Sequence, residues 1–199
     1  PTNQDVFFTH NLFSGGSSGY FLEIWGGYGP QVTIDYLTVT ENNFLTNSVR
    51  AMDADYGDFS IENNYWGTTN ESEIQEMIYD WYDDSNLGFL DYDPWLTEPN
   101  TDAPLSPPTN VLKIESGSNV ILTWTANSES DVAGYKIHHG NFTYSYTTNT
   151  DVGSVTTYTL SGVSIDSSIA VTAYDSNADG TDDQVQGYQS WFSFAGDPT

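Results

Sequence analysis

The densest run of oxygen side chains suited to a metal is Asp175-Ser176-Asn177-Ala178-Asp179-Gly180, with Asp182 and Asp183 just beyond it. Oxygen ligands at alternate positions can converge on one point, and the glycine allows the sharp turn between them. The run matches the first half of a calcium loop and predicts Asp175, Asn177, Asp179 and Asp183 as ligands of a calcium ion. Position 12, normally a glutamate, is Gln186, and the flanking segments read as strands, so this is no EF-hand. The competing reading is an acidic loop whose carboxylates are solvated. A second acidic group, Asp53, Asp55 and Asp58, surrounds Arg50. Paired carboxylates serve glycoside hydrolases as acid and base or nucleophile. Lyases need a strong base, helped by a metal. A solvated turn is the preferred reading of this cluster, since charge runs usually belong to the surface, and no residue is assigned a catalytic role. His138 and His139 are adjacent on an alternating segment and so face opposite ways, which makes shared chelation awkward. His10 lies beside Asn11 in a corner-like segment and reads as structural. No phosphate-cradling glycine loop is evident, nor a supported Ser-His-Asp set.

Sugars offer a third chemistry. A pyranose has an apolar face that stacks on flat aromatic rings. Tyr20, Trp25 and Tyr28 flank glycine-rich stretches, and Tyr144, Tyr146 and Trp191 lie in the second half. Core packing is the default reading for each of them, and a sugar site is the minority one.

Charge bounds the partners. The 199 residues carry 28 acids, three Lys or Arg and no cysteine, for a formal net charge of -25. Residues 1–100 contribute -16 and residues 101–199 contribute -9. Such a chain cannot neutralise phosphates, which argues against nucleic acid, and it is repelled by anionic membranes. Without enough bases for salt bridges, solvent, salt or bound cations must relieve the repulsion. Six Trp, 14 Tyr and 10 Phe argue for folded domains over acidic disorder. Zero cysteine removes disulfides and thiolate chemistry. No run of 18 apolar residues is present, so no membrane insertion is expected. The chain starts on Pro1 without Met, as a processed or excised piece would.

Three segments of the first half share one pattern: Phe7-Phe8-Thr9-His10-Asn11-Leu12-Phe13, Val39-Thr40-Glu41-Asn42-Asn43-Phe44-Leu45 and Phe59-Ser60-Ile61-Glu62-Asn63-Asn64-Tyr65-Trp66. Each is a short strand, then Asn, then an apolar pair. Asn tolerates the left-handed corner, and its amide can bond to the next turn of chain. Anchors at Asn11, Asn43 and Asn64 would build an asparagine ladder. Asn70 with Glu73 suits a helix start, and Ile74, Met77, Ile78 and Trp81 fit one apolar helix face. With Asn63-Asn64-Tyr65-Trp66-Gly67-Thr68-Thr69 ahead of that helix, residues 4–97 resemble the C-terminal end of a right-handed parallel β-helix of the pectate-lyase-like class. The resemblance implies a C-terminal cap over residues 70–97. Val6, Phe7 and Phe8 would then sit at an open edge. Upstream β-helix coils or a neighbouring chain should cover it.

A proline-rich segment, 98–106, reads as a linker. Beyond it, Val120-Ile121-Leu122-Thr123-Trp124, Asp131-Val132-Ala133-Gly134-Tyr135-Lys136-Ile137, Tyr158-Thr159-Leu160 and Ala170-Val171-Thr172-Ala173-Tyr174 alternate between turn residues. Residues 107–199 resemble a fibronectin type III domain, an immunoglobulin-like β-sandwich, with Trp124, Tyr135, Leu160 and Tyr174 expected in its core. The expected fold is therefore all-β: coils and cap over 1–97, linker over 98–106, sandwich over 107–199. The resemblances imply a non-catalytic scaffold or adhesion portion of a secreted or cell-surface bacterial protein, with polysaccharide as a partner. The alternative is the terminal part of a polysaccharide lyase or glycoside hydrolase whose catalytic coils lie upstream.

Overall fold

The computed structural model describes residues 6–14, 20–24, 37–45, 52–54, 58–175 and 189–196. The described residues are mostly β-strand with one short helix, so the all-β class holds. The chain divides into two compact units, Pro1–Ala103 and Pro104–Thr199.

The first unit contains strands β1 (Val6–Thr9), β2 (Leu12–Ser14), β3 (Leu22–Ile24), β4 (Leu37–Thr40), β5 (Asn43–Leu45), β6 (Met52–Ala54) and β7 (Phe59–Ser60). Helix α1 (Glu71–Met77) and strands β8 (Ile78–Tyr79) and β9 (Leu90–Asp91) follow. Every strand pairing among the described residues here is parallel: β1 with β4, β2 with β5, β3 with β6, β6 with β8, and β7 with β9. Short parallel strands need a device that holds successive passes of chain in register.

Three rows of side chains and backbone supply that device. His10, Glu41 and Asn63 all take left-handed backbone, with φ of 58°, 60° and 57°. The next residue in each case is a ladder asparagine: Asn11, Asn42 or Asn64. Asn11 donates from Nδ2 to Asn42 Oδ1 at 2.9 Å, and Asn42 Nδ2 donates to Asn64 Oδ1 at 2.9 Å. The backbone amides of Asn11 and Asn42 reach the same acceptors, at 3.0 and 2.9 Å. Two residues further on stand Phe13, Phe44 and Trp66, whose rings stack at 4.7 Å with 7° and 15° between planes. The ladder thus runs through Asn42, not the expected Asn43. Only Asn42 follows the left-handed corner. Asn43 instead exchanges hydrogen bonds with Asn100, whose N–H donates to Asn43 Oδ1 at 2.8 Å.

A fourth pass closes the row. The amides of Phe59, Ile61 and Asn63 donate to the carbonyls of Phe89, Asp91 and Pro94, and Leu96 N–H donates to Asn64 O. Trp95 then occupies the ladder position, so the amide row stops at Asn64. Phe44, Ile61, Trp66 and Ile74 are fully buried in the shared core. Helix α1 begins where expected, with Asn70 Oδ1 accepting from Ser72 N–H at 3.1 Å. It ends four residues before Trp81, because Ile78 leaves the helix to pair with Met52 in β8. Trp81 is therefore off the expected apolar face and 42% exposed. Val6, Phe7 and Phe8 on β1 are 48%, 65% and 37% exposed.

The second unit contains β10 (Thr109–Ser116), β11 (Asn119–Thr125), β12 (Val132–Gly140), β13 (Thr148–Gly153), β14 (Thr157–Ser161), β15 (Ser168–Asp175) and β16 (Ser193–Phe194). They form two antiparallel sheets, β10-β11-β14 and β13-β12-β15-β16. Alternate residues of both sheets make one core, including Val120, Leu122, Trp124, Tyr135, Ile137, Leu160 and Val171. Tyr174 departs from expectation. It sits on the other face of β15 from Ile169, Val171 and Ala173, half-buried, with its hydroxyl donating to Asp151 Oδ1 at 3.1 Å. Burial, then this carboxylate, raises its pKa. Residues of the 98–106 segment are taken up by the units. Asn100 is bonded to Asn43, and Leu105 is 2% exposed within the second core. Glu129 is 5% exposed and accepts from Ser106 N–H at 2.7 Å.

Candidate glycan-binding surface

Strand β12 leaves the sheet at Gly140 and returns as β13 through residues 141–147. A side chain at Gly140 would put its Cβ 2.7 Å from the Ser145 carbonyl, so only glycine permits this tight return. Inside the loop, Ser145 N–H donates to Phe142 O at 3.1 Å, and Thr147 N–H donates to His139 O at 3.1 Å. Tyr144 sits between them at φ 62°. A bulky side chain in left-handed backbone is an outlier that local structure must hold in place. The result is a ring turned into solvent, 61% exposed.

The last described segment, residues 189–196, lies beside this loop. Its amides are secured: Ser190 N–H donates to Ala173 O at 2.8 Å, Ala195 N–H to Ile169 O at 2.9 Å and Gly196 N–H to Val111 O at 2.9 Å. Gly196 O in turn accepts from Lys113 N–H at 2.9 Å, so this segment clasps β10 as well as β15. Trp191 is 66% exposed and Phe194 42%. Tyr144 meets Trp191 at 6.3 Å between ring centroids, Phe194 edge-on at 5.1 Å and Phe192 at 6.3 Å.

Beneath these rings the surface is firm. His138 packs edge-on against Phe192 at 5.0 Å and lies 5.8 Å from Tyr146. Its Nε2 is 3.0 Å from Thr172 Oγ1, and Gln189 Nε2 donates to that same hydroxyl at 3.0 Å. Burial, with Lys136 as the lesser cause, holds the His138 pKa below its usual value, so the ring is kept neutral. His139 contributes its carbonyl to the loop.

Of the sugar-stacking candidates, Tyr144, Tyr146 and Trp191 come together around Phe192, and Trp25 and Tyr28 lie outside the described residues. Tyr20 stacks on Tyr79 at 6.2 Å. Phe142, Phe192 and Phe194 escaped the sequence reading. The alternation Phe192-Ser193-Phe194 beside Trp191 is the signal that would have found two of them. A second exposed aromatic group was also missed: Trp81, Tyr82 and Phe89 in the first unit, with ring separations of 4.8 to 5.6 Å.

The expected calcium ligands fare differently. Asp175 ends β15 and is 2% exposed, while Asn177, Asp179 and Asp183 lie outside the described residues. Among the described residues no group of three or more His, Cys, Asp or Glu is placed to hold a metal. In the Asp53, Asp55 and Asp58 cluster, Asp58 spends one carboxylate oxygen on the Phe89 amide at 3.1 Å. Asp55 and Arg50 lie outside the described residues. His10 Nε2 lies 3.1 Å from Glu41 Oε2 across the corner row. No helix among the described residues is long and apolar enough to cross a membrane.

No protein-family model matches the sequence, and no curated protein matches it. Among solved structures, the chain is similar to the crystal structure of the Clostridium perfringens spore cortex lytic enzyme SleM, with 20% identity and a TM-score of 0.34. That match covers 47% of this chain and 28% of the other, so the chain spans well under two thirds of that protein's length.

Proposed function

We propose that this chain is a non-catalytic, glycan-binding portion of a secreted or cell-surface bacterial protein. The carrying observation is the pair of exposed rings, Trp191 at 66% and Tyr144 at 61%, set 6.3 Å apart. Exposed aromatic area of this kind is costly in water unless a ligand covers it. A pyranose face does so while its hydroxyls stay hydrated.

The rest of the molecule is read as the carrier. Stacked parallel strands with an asparagine row support the end of a right-handed parallel β-helix, capped by α1 and the 89–96 pass. Antiparallel sheets of three and four strands around Trp124 and Tyr135 support a fibronectin type III domain. Exposed Val6, Phe7 and Phe8 support a covering partner at β1, either an upstream coil or a neighbouring chain. The spacing of Asp175, Asn177, Asp179 and Asp183 supports calcium at that loop. Its thermal midpoint should rise with calcium and fall with chelator, and no response to either removes the ion from this reading.

The test of glycan binding is affinity electrophoresis of the full chain through gels containing soluble polysaccharides. Retardation should fall at least tenfold in affinity when Trp191 and Tyr144 are both changed to Ala. Unchanged retardation in the double variant overturns the surface. Turnover of any polysaccharide by this chain overturns the non-catalytic reading.

A further inference from the structure

Phe194 belongs to two surfaces at once. On one side Tyr144 meets it edge-on at 5.1 Å. On the other it lines a cleft of about 410 Å³, together with Phe142, Asn141, Thr143, Asp166 and Ser168. That volume lies in the range of small-ligand sites. Phe142 is 72% exposed, so the cleft presents open aromatic surface as well as polar groups.

Its polar side is braced. Thr143 Oγ1 lies 3.2 Å from Ser168 Oγ, linking the 141–147 loop to the start of β15. Each hydroxyl keeps further donor or acceptor capacity after that bond. Lys113 Nζ donates to Ile165 O at 2.6 Å and contacts Ser167 O at 3.5 Å. That ammonium therefore holds the turn carrying Asp166.

We infer that this cleft is a subsite that reads the hydroxyls of a neutral sugar residue, within a glycan whose neighbouring units stack on Tyr144 and Trp191. The inference rests on the glycan-binding reading above and adds the class of sugar. Phe142 and Phe194 supply stacking surface, while Asn141, Thr143, Asp166 and Ser168 supply donors and acceptors. A carboxylate acceptor is suited to the vicinal hydroxyls of a sugar. Charge decides against acidic sugars: Asp166 lines the cleft, Lys113, the only cation among the described residues lining it, is tied to carbonyls, and the whole chain carries -25.

The experiment uses the full chain and three soluble polymers in affinity gels: a neutral glucomannan, polygalacturonate and chitosan. Asp166→Asn and Asn141→Ala test the cleft, and Trp191→Ala tests the platform. All three positions are exposed, so the variants should fold, and circular dichroism confirms it. Wild type should be retarded by glucomannan and pass polygalacturonate freely. Trp191→Ala should weaken glucomannan binding at least tenfold. The two cleft variants should weaken it at least fivefold, with Asp166→Asn also admitting some polygalacturonate. Cleft variants that bind glucomannan like wild type overturn the subsite and leave the platform standing. So does a wild-type preference for polygalacturonate, or one for chitosan that persists at high salt, where bulk attraction of a polycation to the -25 chain is screened. Binding to none of the three overturns the subsite, and extending the null to a broad glycan panel overturns the platform too.

Discussion

In the first unit Phe13, Phe44 and Trp66 stack face to face at 4.7 Å, one per pass of chain, and the inner two are fully buried. In the second unit Tyr144, Trp191 and Phe194 meet at 48° and 90°, and all three are exposed. The same residue types therefore serve opposite ends. A parallel stack buries both faces of each inner ring, which suits an interior repeated along an axis. Tilted rings leave faces open to solvent. The interior set is enforced by backbone registration and the exposed set by one strained loop residue.

Four measurements test that contrast. Phe44→Ala should be the most damaging, at about 3–5 kcal/mol, because it opens the middle of a closed stack. Hydrogen exchange should accelerate across residues 37–45 while residues 119–125 keep their protection. Equal loss in both units would mean that they are not independently stabilised. Asn42→Ala should cost about 3 kcal/mol. It removes acceptors for Asn11 and donors to Thr40 O, Phe8 O and Asn64 Oδ1 in a buried row. Urea midpoints check it, and a loss under about 0.5 kcal/mol would show that the strands alone set the register.

The third concerns pH. Folding lowers the His138 pKa from its usual 6.5. Its contribution to stability is therefore complete above that value and is lost as pH falls through it toward the folded value, because the unfolded chain takes the proton first. The thermal midpoint of the second unit should drop as pH falls below 6.5, and His138→Leu should flatten that slope. An identical slope in the variant would place the titration elsewhere. The smallest effect on stability belongs to Trp191→Ala, within about 0.5 kcal/mol by urea denaturation. A larger loss would mean that this ring braces the fold, and the contrast between interior and surface aromatics would fail.

Local pattern was legible where one residue type repeats at one structural job. The Asn repeat marked the stacked passes, and the Asn70 cap marked the start of α1. The ladder was misplaced by one position because Asn42 and Asn43 are adjacent and chemically identical. What separates them is the left-handed residue before Asn42 and the aromatic two places after it, a pattern shared by Asn11 and Asn64. Trp81 kept the helical period, but pairing of Ile78 with Met52, distant in sequence, ended the helix first. The candidate surface was legible as ingredients only. Tyr144 and Trp191 are far apart in the chain, and the β12–β15–β16 pairing alone makes them neighbours. Phe142 and Phe194 could not be told from core residues until their exposure was known.

On the proposed glycan-binding reading, the left-handed backbone at Tyr144 sets durability against recognition. A bulky residue there costs about 1–2 kcal/mol that glycine would not incur. Tyr144→Gly should therefore leave the second unit as stable as before or more so, while removing the central ring from the row. Selection for stability alone would drift toward glycine at this corner. Retaining tyrosine across descendants of this sequence would mark continued use of the surface, and its replacement by glycine would mark the surface falling out of use.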